Sequence, residues 1–134
     1  MTLFAGVPYE YTSVVTGGSL VFTAGACPLD EDGVIVAPGD HGAQAQRAVD
    51  NLLTALAERG AGAEHLVRTT IYVVGDRDDL ARVWTVVATA LAPNRPPSTL
   101  LGVAVLGYPD QLVEIDGIAA TPAAPPARPA PPPG

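Results

Sequence analysis

Gln46-Arg47-Ala48-Val49-Asp50-Asn51-Leu52-Leu53, closed by Gly60 and followed by Val67-Arg68-Thr69-Thr70-Ile71-Tyr72-Val73, sets a helix directly before a strand. The helix begins earlier. Asp40 is the expected N-cap, and Ala43, Ala45, Ala48, Val49, Leu52, Leu53 and Leu56 follow at helical spacing. Gly60 ends it, because glycine accepts the left-handed conformation that terminates helices. Leu66 to Val74 is rich in Val, Ile, Thr and Tyr and reads as a strand.

Outward from this pair, Asp76 to Asp79 can cap a second helix from about Leu80 to Leu91, with Val83, Trp84, Val87 and Leu91 on one side. Pro93 and Arg95-Pro96-Pro97 stop it. Two closing strands are expected at Ser98–Val105 and Leu112–Ala119, joined by a loop holding Gly107, Tyr108, Pro109 and Asp110. Towards the N-terminus, Tyr9–Val15 and Ser19–Ala24 flank Thr16-Gly17-Gly18 and read as a hairpin. Val34–Val36 reads as a short strand after the turn Asp30-Glu31-Asp32-Gly33. The order of three strands, helix, strand, helix and two strands is an α+β plan, with a mixed sheet carrying both helices on one face. The other face is apolar too, and its expected cover is a second copy of the chain.

The chain has 134 residues, enough for one domain with its own core. A folded domain is expected over 1–120. A Pro/Ala-rich tail over 121–134, with Arg128 as its one charge, is expected to be disordered with polyproline character. It is either a tolerated extension or a docking segment. The net charge is −7 and all seven basic residues are Arg. This acidic balance argues against a nucleic-acid backbone or an anionic membrane as partner. The N-terminus has no basic stretch followed by an apolar run, and no segment has the length of a membrane span, so a cytoplasmic location is expected. One cysteine, Cys27, excludes an internal disulfide. His41 and His65 show no metal-ligand spacing, and Gly17-Gly18 lies in a turn rather than before a helix, so neither a metal nor a cofactor is expected.

The passage from Gln46 to Val73 resembles the RidA/YjgF family, whose members carry a Gln and an Asn-Leu on this helix and then a Val-basic-Thr-Thr-aliphatic-aromatic strand. Pro8-Tyr9, Phe22-Thr23-Ala24-Gly25 with Pro28, and Val113-Glu114-Ile115 with Ile118-Ala119 match further family stretches in the right order. The resemblance runs from about Pro8 to Ala119. It implies a chorismate-mutase-like α+β sandwich and a homotrimer with three small-molecule clefts, each lined by two neighbouring subunits. It also implies the family's best-known activity, hydrolysis of 2-imino acids such as 2-iminobutanoate to 2-keto acids and ammonia. Some members carry an older description as translation inhibitors or endoribonucleases.

The same resemblance exposes departures. The deaminases carry an Arg in a Pro-Ala-Arg-Ser motif, whose guanidinium grips the substrate carboxylate through two parallel hydrogen bonds. Here the stretch is Pro96-Pro97-Ser98-Thr99, so Ser98 stands in the arginine's place. Arg95 is a possible surrogate reaching back, or a solvated loop charge held off by two prolines. Trp84 replaces a common Asn and is either a cleft wall or core packing, while Ala26 replaces a usual Gln. Both changes make the cleft more apolar, which suggests a larger or aromatic ligand, or a site that has lost its chemistry. Glu114 matches the family's cleft glutamate and is the candidate acid or base. It shares a strand face with Asp116, so both could instead face solvent. Tyr9 borders the expected cleft, Gly25 allows close approach to backbone amides, and Leu100 follows Ser98 along the same strand as a further substrate contact. Cys27 lies near this cleft, either as a nucleophile wanting a base or as a small buried apolar residue. The expected function is hydrolysis or rearrangement of an imine, enamine or related carbonyl metabolite, with weak or absent activity on ordinary 2-imino acids. The alternative is a non-catalytic ligand-binding or regulatory trimer, and a ribonuclease ranks last.

Overall fold

The computed structural model describes residues 1–122 and 131–133. Most of the expected Pro/Ala tail therefore lies outside the described residues.

Helix α1 spans His41–Ala57. Asp40 is extended, and its side chain accepts the Ala43 N–H, so the first turn is capped as the sequence predicts. Gln44, Ala45, Ala48, Val49, Leu52 and Leu56 form its buried face. Gly60, at φ +74°, turns the chain away after it. Strand β2 follows at Leu66–Val73. Helix α2 spans Arg77–Leu91, starting three residues before the expected Leu80. The reason is a reciprocal capping box: Asp76 accepts the Asp79 N–H while Asp79 accepts the Asp76 N–H. Val83, Val87 and Leu91 are buried on α2.

The sheet has the order β1-β4-β2-β3, with β1 at Ser19–Phe22, β3 at Ser98–Gly102 and β4 at Val113–Thr121. β2 pairs parallel with β3 and antiparallel with β4, and β1 pairs antiparallel with β4. The sheet is therefore mixed, and both helices pack on one face of it. The core lies between them, with Ile71, Val73, Val113, Ile115 and Ala119 meeting Leu52, Leu56, Val83 and Val87.

Two expected strands are not formed. Tyr9–Val15 does not pair with β1. Its Glu10 N–H bonds the Arg95 carbonyl and its Ser13 hydroxyl bonds the Val67 carbonyl, so the segment runs along the start of β2 and β3. β1 pairs instead with the far end of β4, Ser19 opposite Thr121. Val34–Val36 makes only a single bridge, Leu29 with Ile35. Asp30 Oδ1 accepts the N–H of both Asp32 and Val34 there and holds a turn. β3 stops at Gly102 rather than Val105, because β2 ends at Val73 and offers no further partner.

The face of the sheet opposite the helices is uncovered in a single chain. Leu20, Phe22 and Leu101 project from it and are 50%, 68% and 41% exposed. Tyr72 donates to Asp116 on the same face at 3.0 Å. Hydrogen bonding to that carboxylate, with desolvation, raises the Tyr72 pKa above its ordinary value.

Candidate functional site

The residues singled out in the sequence fall into two groups on opposite faces of the sheet. Burial alternates strictly along β4, with Val113 and Ile115 turned to the helices, so Glu114 points to the other face. The chain after β1 continues along β4: Thr23 N–H bonds the Gly117 carbonyl, and Ala26 exchanges both backbone bonds with Ile115. This brings Gly25 against the Glu114 carboxylate. A Cβ at Gly25 would lie 2.6 Å from Glu114 Cδ, so only glycine leaves the side chain its place.

Two donors converge on the same carboxylate oxygen. Cys27 Sγ donates to Glu114 Oε1 at 3.1 Å, and Gln111 Nε2 donates to it at 3.2 Å. Burial pushes the Cys27 thiol up to about 11, and the adjacent Glu114 pushes it the same way. At neutral pH Cys27 is thus a protonated hydrogen-bond donor, not a thiolate nucleophile. The loop bearing it is held by α1: Asn51 Nδ2 donates to the carbonyls of Cys27 and Leu29, and Arg47 Nε donates to that of Leu29. On the other side of Glu114, Gln111 is buried and folded back by a turn, since it accepts the Tyr108 N–H. Buried Gln44 ties this turn to α1 by bonding the Asp110 carbonyl and the Leu112 N–H.

The second group lies at the β3 edge, on the helix side. Trp84, Arg95 and Ser98 line a cavity of about 170 Å³ together with Pro8, Leu91 and Pro93. Tyr9 stands edge-on to Trp84, with ring centroids 6.1 Å apart. Trp84 is half-buried, with one side packed on the core and one on the cavity. Ser98 Oγ donates to the Pro96 carbonyl at 2.9 Å, so its 2.6 Å partner, Thr69 Oγ1, is the donor between them. Arg95 is exposed and its guanidinium donates to the Val7 carbonyl. Leu100 packs against the core cluster and does not line the cavity.

Gln111 and Gln44 gave no signal in the sequence. Gln111 lies in a loop without periodicity, Gln44 is a lone polar residue on the buried face of α1, and only the folded turn beside α1 gives these two their partners. Among the described residues, no three His, Cys, Asp or Glu side chains are placed to share a metal ion, and no helix is long and apolar enough to cross a membrane.

Comparison with known proteins agrees with this architecture. The family model described as endoribonuclease L-PSP matches residues 6–121. The chain is 36% identical over 112 residues to the protein DfrA of Myxococcus xanthus, covering 84% of each. It is similar in structure to YyfB from Yersinia pestis, of the conserved Rid protein family, with TM-score 0.81, 27% identity and coverage of 90% of this chain and 93% of that one. It is also similar to E. coli TdcF, solved with bound serine, with TM-score 0.70, 27% identity and coverage of 88% and 91%. This chain belongs to the endoribonuclease L-PSP family, the RidA/YjgF proteins.

Proposed function

We propose that this protein is a RidA-like small-molecule hydrolase or isomerase acting on an imine, enamine or related carbonyl compound, in clefts completed between the subunits of a homotrimer. One observation supports this above the others: the candidate residues divide between the two faces of one chain's sheet. Glu114 and Gly25 lie on the open face beside β4, whereas Ser98, Trp84 and Tyr9 lie at the β3 edge on the helix side. A second copy seated on the open face brings its own β3 edge towards Glu114, and the apolar side chains exposed there favour such a cover.

The chemistry follows from Glu114. Its Oε1 already takes two donors, which leaves Oε2, over the Cβ-free Gly25, to bind a water. In hydrolysis the water oxygen adds to the imine carbon while Oε2 takes a proton. That proton passes to the nitrogen, giving a carbinolamine; Oε2 then takes the hydroxyl proton and hands it to the nitrogen as the C–N bond breaks, and ammonia and the carbonyl compound leave. Nothing at Ser98 itself replaces the arginine fork for a carboxylate: its hydroxyl proton goes to the Pro96 carbonyl, and Arg95, which gives one N–H to the Val7 carbonyl, stands at the cavity rim rather than in the arginine's place. Each hydrogen bond to a charged group is worth about 1.5–3 kcal/mol. Turnover of 2-iminobutanoate is therefore expected about 100-fold or more below that of arginine-bearing relatives. A ribonuclease role is not proposed, because the net charge is −7 and the chain has no Lys.

The test generates 2-iminobutanoate in situ with an amino-acid oxidase and traps it with semicarbazide. Wild type, Ser98→Arg, Arg95→Ala and Glu114→Gln are compared. Low wild-type activity that Ser98→Arg raises supports the reading. Wild-type activity equal to arginine-bearing relatives refutes it, and its loss in Arg95→Ala would show that the arginine has moved. The commitment of the Ser98 hydroxyl proton also favours a second reading, a binding trimer without turnover. In that case Glu114→Gln changes ligand affinity and there is no rate to lose.

A further inference from the structure

We infer that Gln111 is a positioning residue for Glu114, holding its carboxylate so that protons are exchanged through Oε2 alone, on the side of Gly25. This deepens the reading above, and it rests on that reading only for the step from geometry to rate. The orientation of the Gln111 amide is decided by its neighbours. The Tyr108 N–H can only donate, so the atom that faces it at 3.1 Å is the amide oxygen. Nε2 therefore faces the other way, and its two protons go to the Val113 carbonyl at 3.1 Å and to Glu114 Oε1 at 3.2 Å. Gln111 is 4% exposed, so water does not compete for these bonds. This position uses one acceptor and two donors on a single planar group, which is the equipment of an amide.

The backbone on either side of Gln111 is fixed as well. Gln44, buried on α1, donates to the Asp110 carbonyl at 2.9 Å and accepts the Leu112 N–H at 2.8 Å. The Leu112 carbonyl in turn accepts the Val74 N–H, just past the end of β2. A line of bonds thus runs from the helix through the turn to the carboxylate. Oε1 receives the Gln111 N–H and the Cys27 S–H, so a proton added to Glu114 has its place on Oε2. The thiol is a weak donor and does not hold that orientation by itself. These contacts lie within one chain and do not depend on a neighbouring copy.

Two variants separate this role from a purely structural one. Gln111→Glu keeps an acceptor for the Tyr108 N–H but brings no donor to Glu114, whereas Gln111→Met brings neither. Each is made in the full-length wild type and in the Ser98→Arg background, and turnover of 2-iminobutanoate is measured. In both, kcat is expected to fall about tenfold or more with KM unchanged, because the base is misplaced while substrate contacts stay. The second readout needs no turnover. Cys27 is the only cysteine and its thiol is protonated at neutral pH, so its S–H stretching band in the infrared reports the bond to Glu114. The band is expected to move to higher frequency in both variants as the S–H bond to the carboxylate loosens. A wild-type band position in Gln111→Glu assigns Gln111 to the turn alone and overturns the inference, even where Gln111→Met does not fold. Wild-type kcat in Gln111→Glu overturns it too. Its failure is distinct from that of the hydrolase reading. A shifted band without turnover in wild type or Ser98→Arg supports the hold on Glu114 and removes the hydrolase chemistry. Turnover unchanged in Gln111→Glu, with an unmoved band, does the reverse.

Discussion

Glu114 receives a thiol and an amide on one oxygen, and the thiol registers the contact. Burial first and the carboxylate second hold the Cys27 pKa at about 11. Replacing the carboxylate by an amide removes the second cause only. Glu114→Gln should therefore move the midpoint of iodoacetamide alkylation against pH from about 11 towards the ordinary thiol range, without reaching it. An unshifted midpoint would mean that Cys27 and Glu114 are not in contact. The sign for stability is also fixed. The folded pKa lies above the ordinary thiol value of 9.0, so Cys27 favours the folded state below pH 9 and that contribution is lost as pH rises through about 11. Both residues are visible in the sequence as neighbours of a cleft, yet not as partners. They are 87 positions apart, and only the pairing of residues 23–26 along β4 brings them together.

At the scale of elements, the helices were legible and the strand pairing was not. α1 and α2 follow from apolar spacing and from Asp40 and Asp76, all local signals. Asp76→Ala should cost about 1 kcal/mol, measured as a lower urea midpoint at unchanged slope, because it removes one arm of the capping box. Asp79, the other arm, has its pKa lowered chiefly by accepting the Asp76 N–H. Its contribution is present above the ordinary carboxylate pKa and disappears as pH falls through the lowered folded value. Tyr9–Val15 shows the opposite case. Its β-forming residues are real, but a propensity does not choose a partner, and Arg95 and Val67 supply bonds that a hairpin would have taken.

For the whole molecule, the open sheet face is the feature that a single chain leaves unsettled. Phe22, Leu20 and Leu101 stand on it beside the Tyr72–Asp116 pair. Sedimentation of the wild type is expected to give a homotrimer. Phe22→Glu should shift it towards monomer, since it places a charge on that face; a monomeric wild type would remove the shared clefts from the proposed function. The sequence by itself determined the α+β class, both helices with their caps, the family, and the identities of Glu114, Gly25, Trp84 and Ser98 as site candidates. Each of these is written in spacing, capping chemistry or motif, which are properties of neighbouring residues. Only the tertiary structure decided that β1 closes on β4, that Gln111 and Cys27 hold Glu114, that Ser98 is turned to Pro96 and Thr69, and that the candidates divide between two faces. Those outcomes depend on which distant backbone groups pair, and pairing is settled by the packing of the whole sheet against α1 and α2.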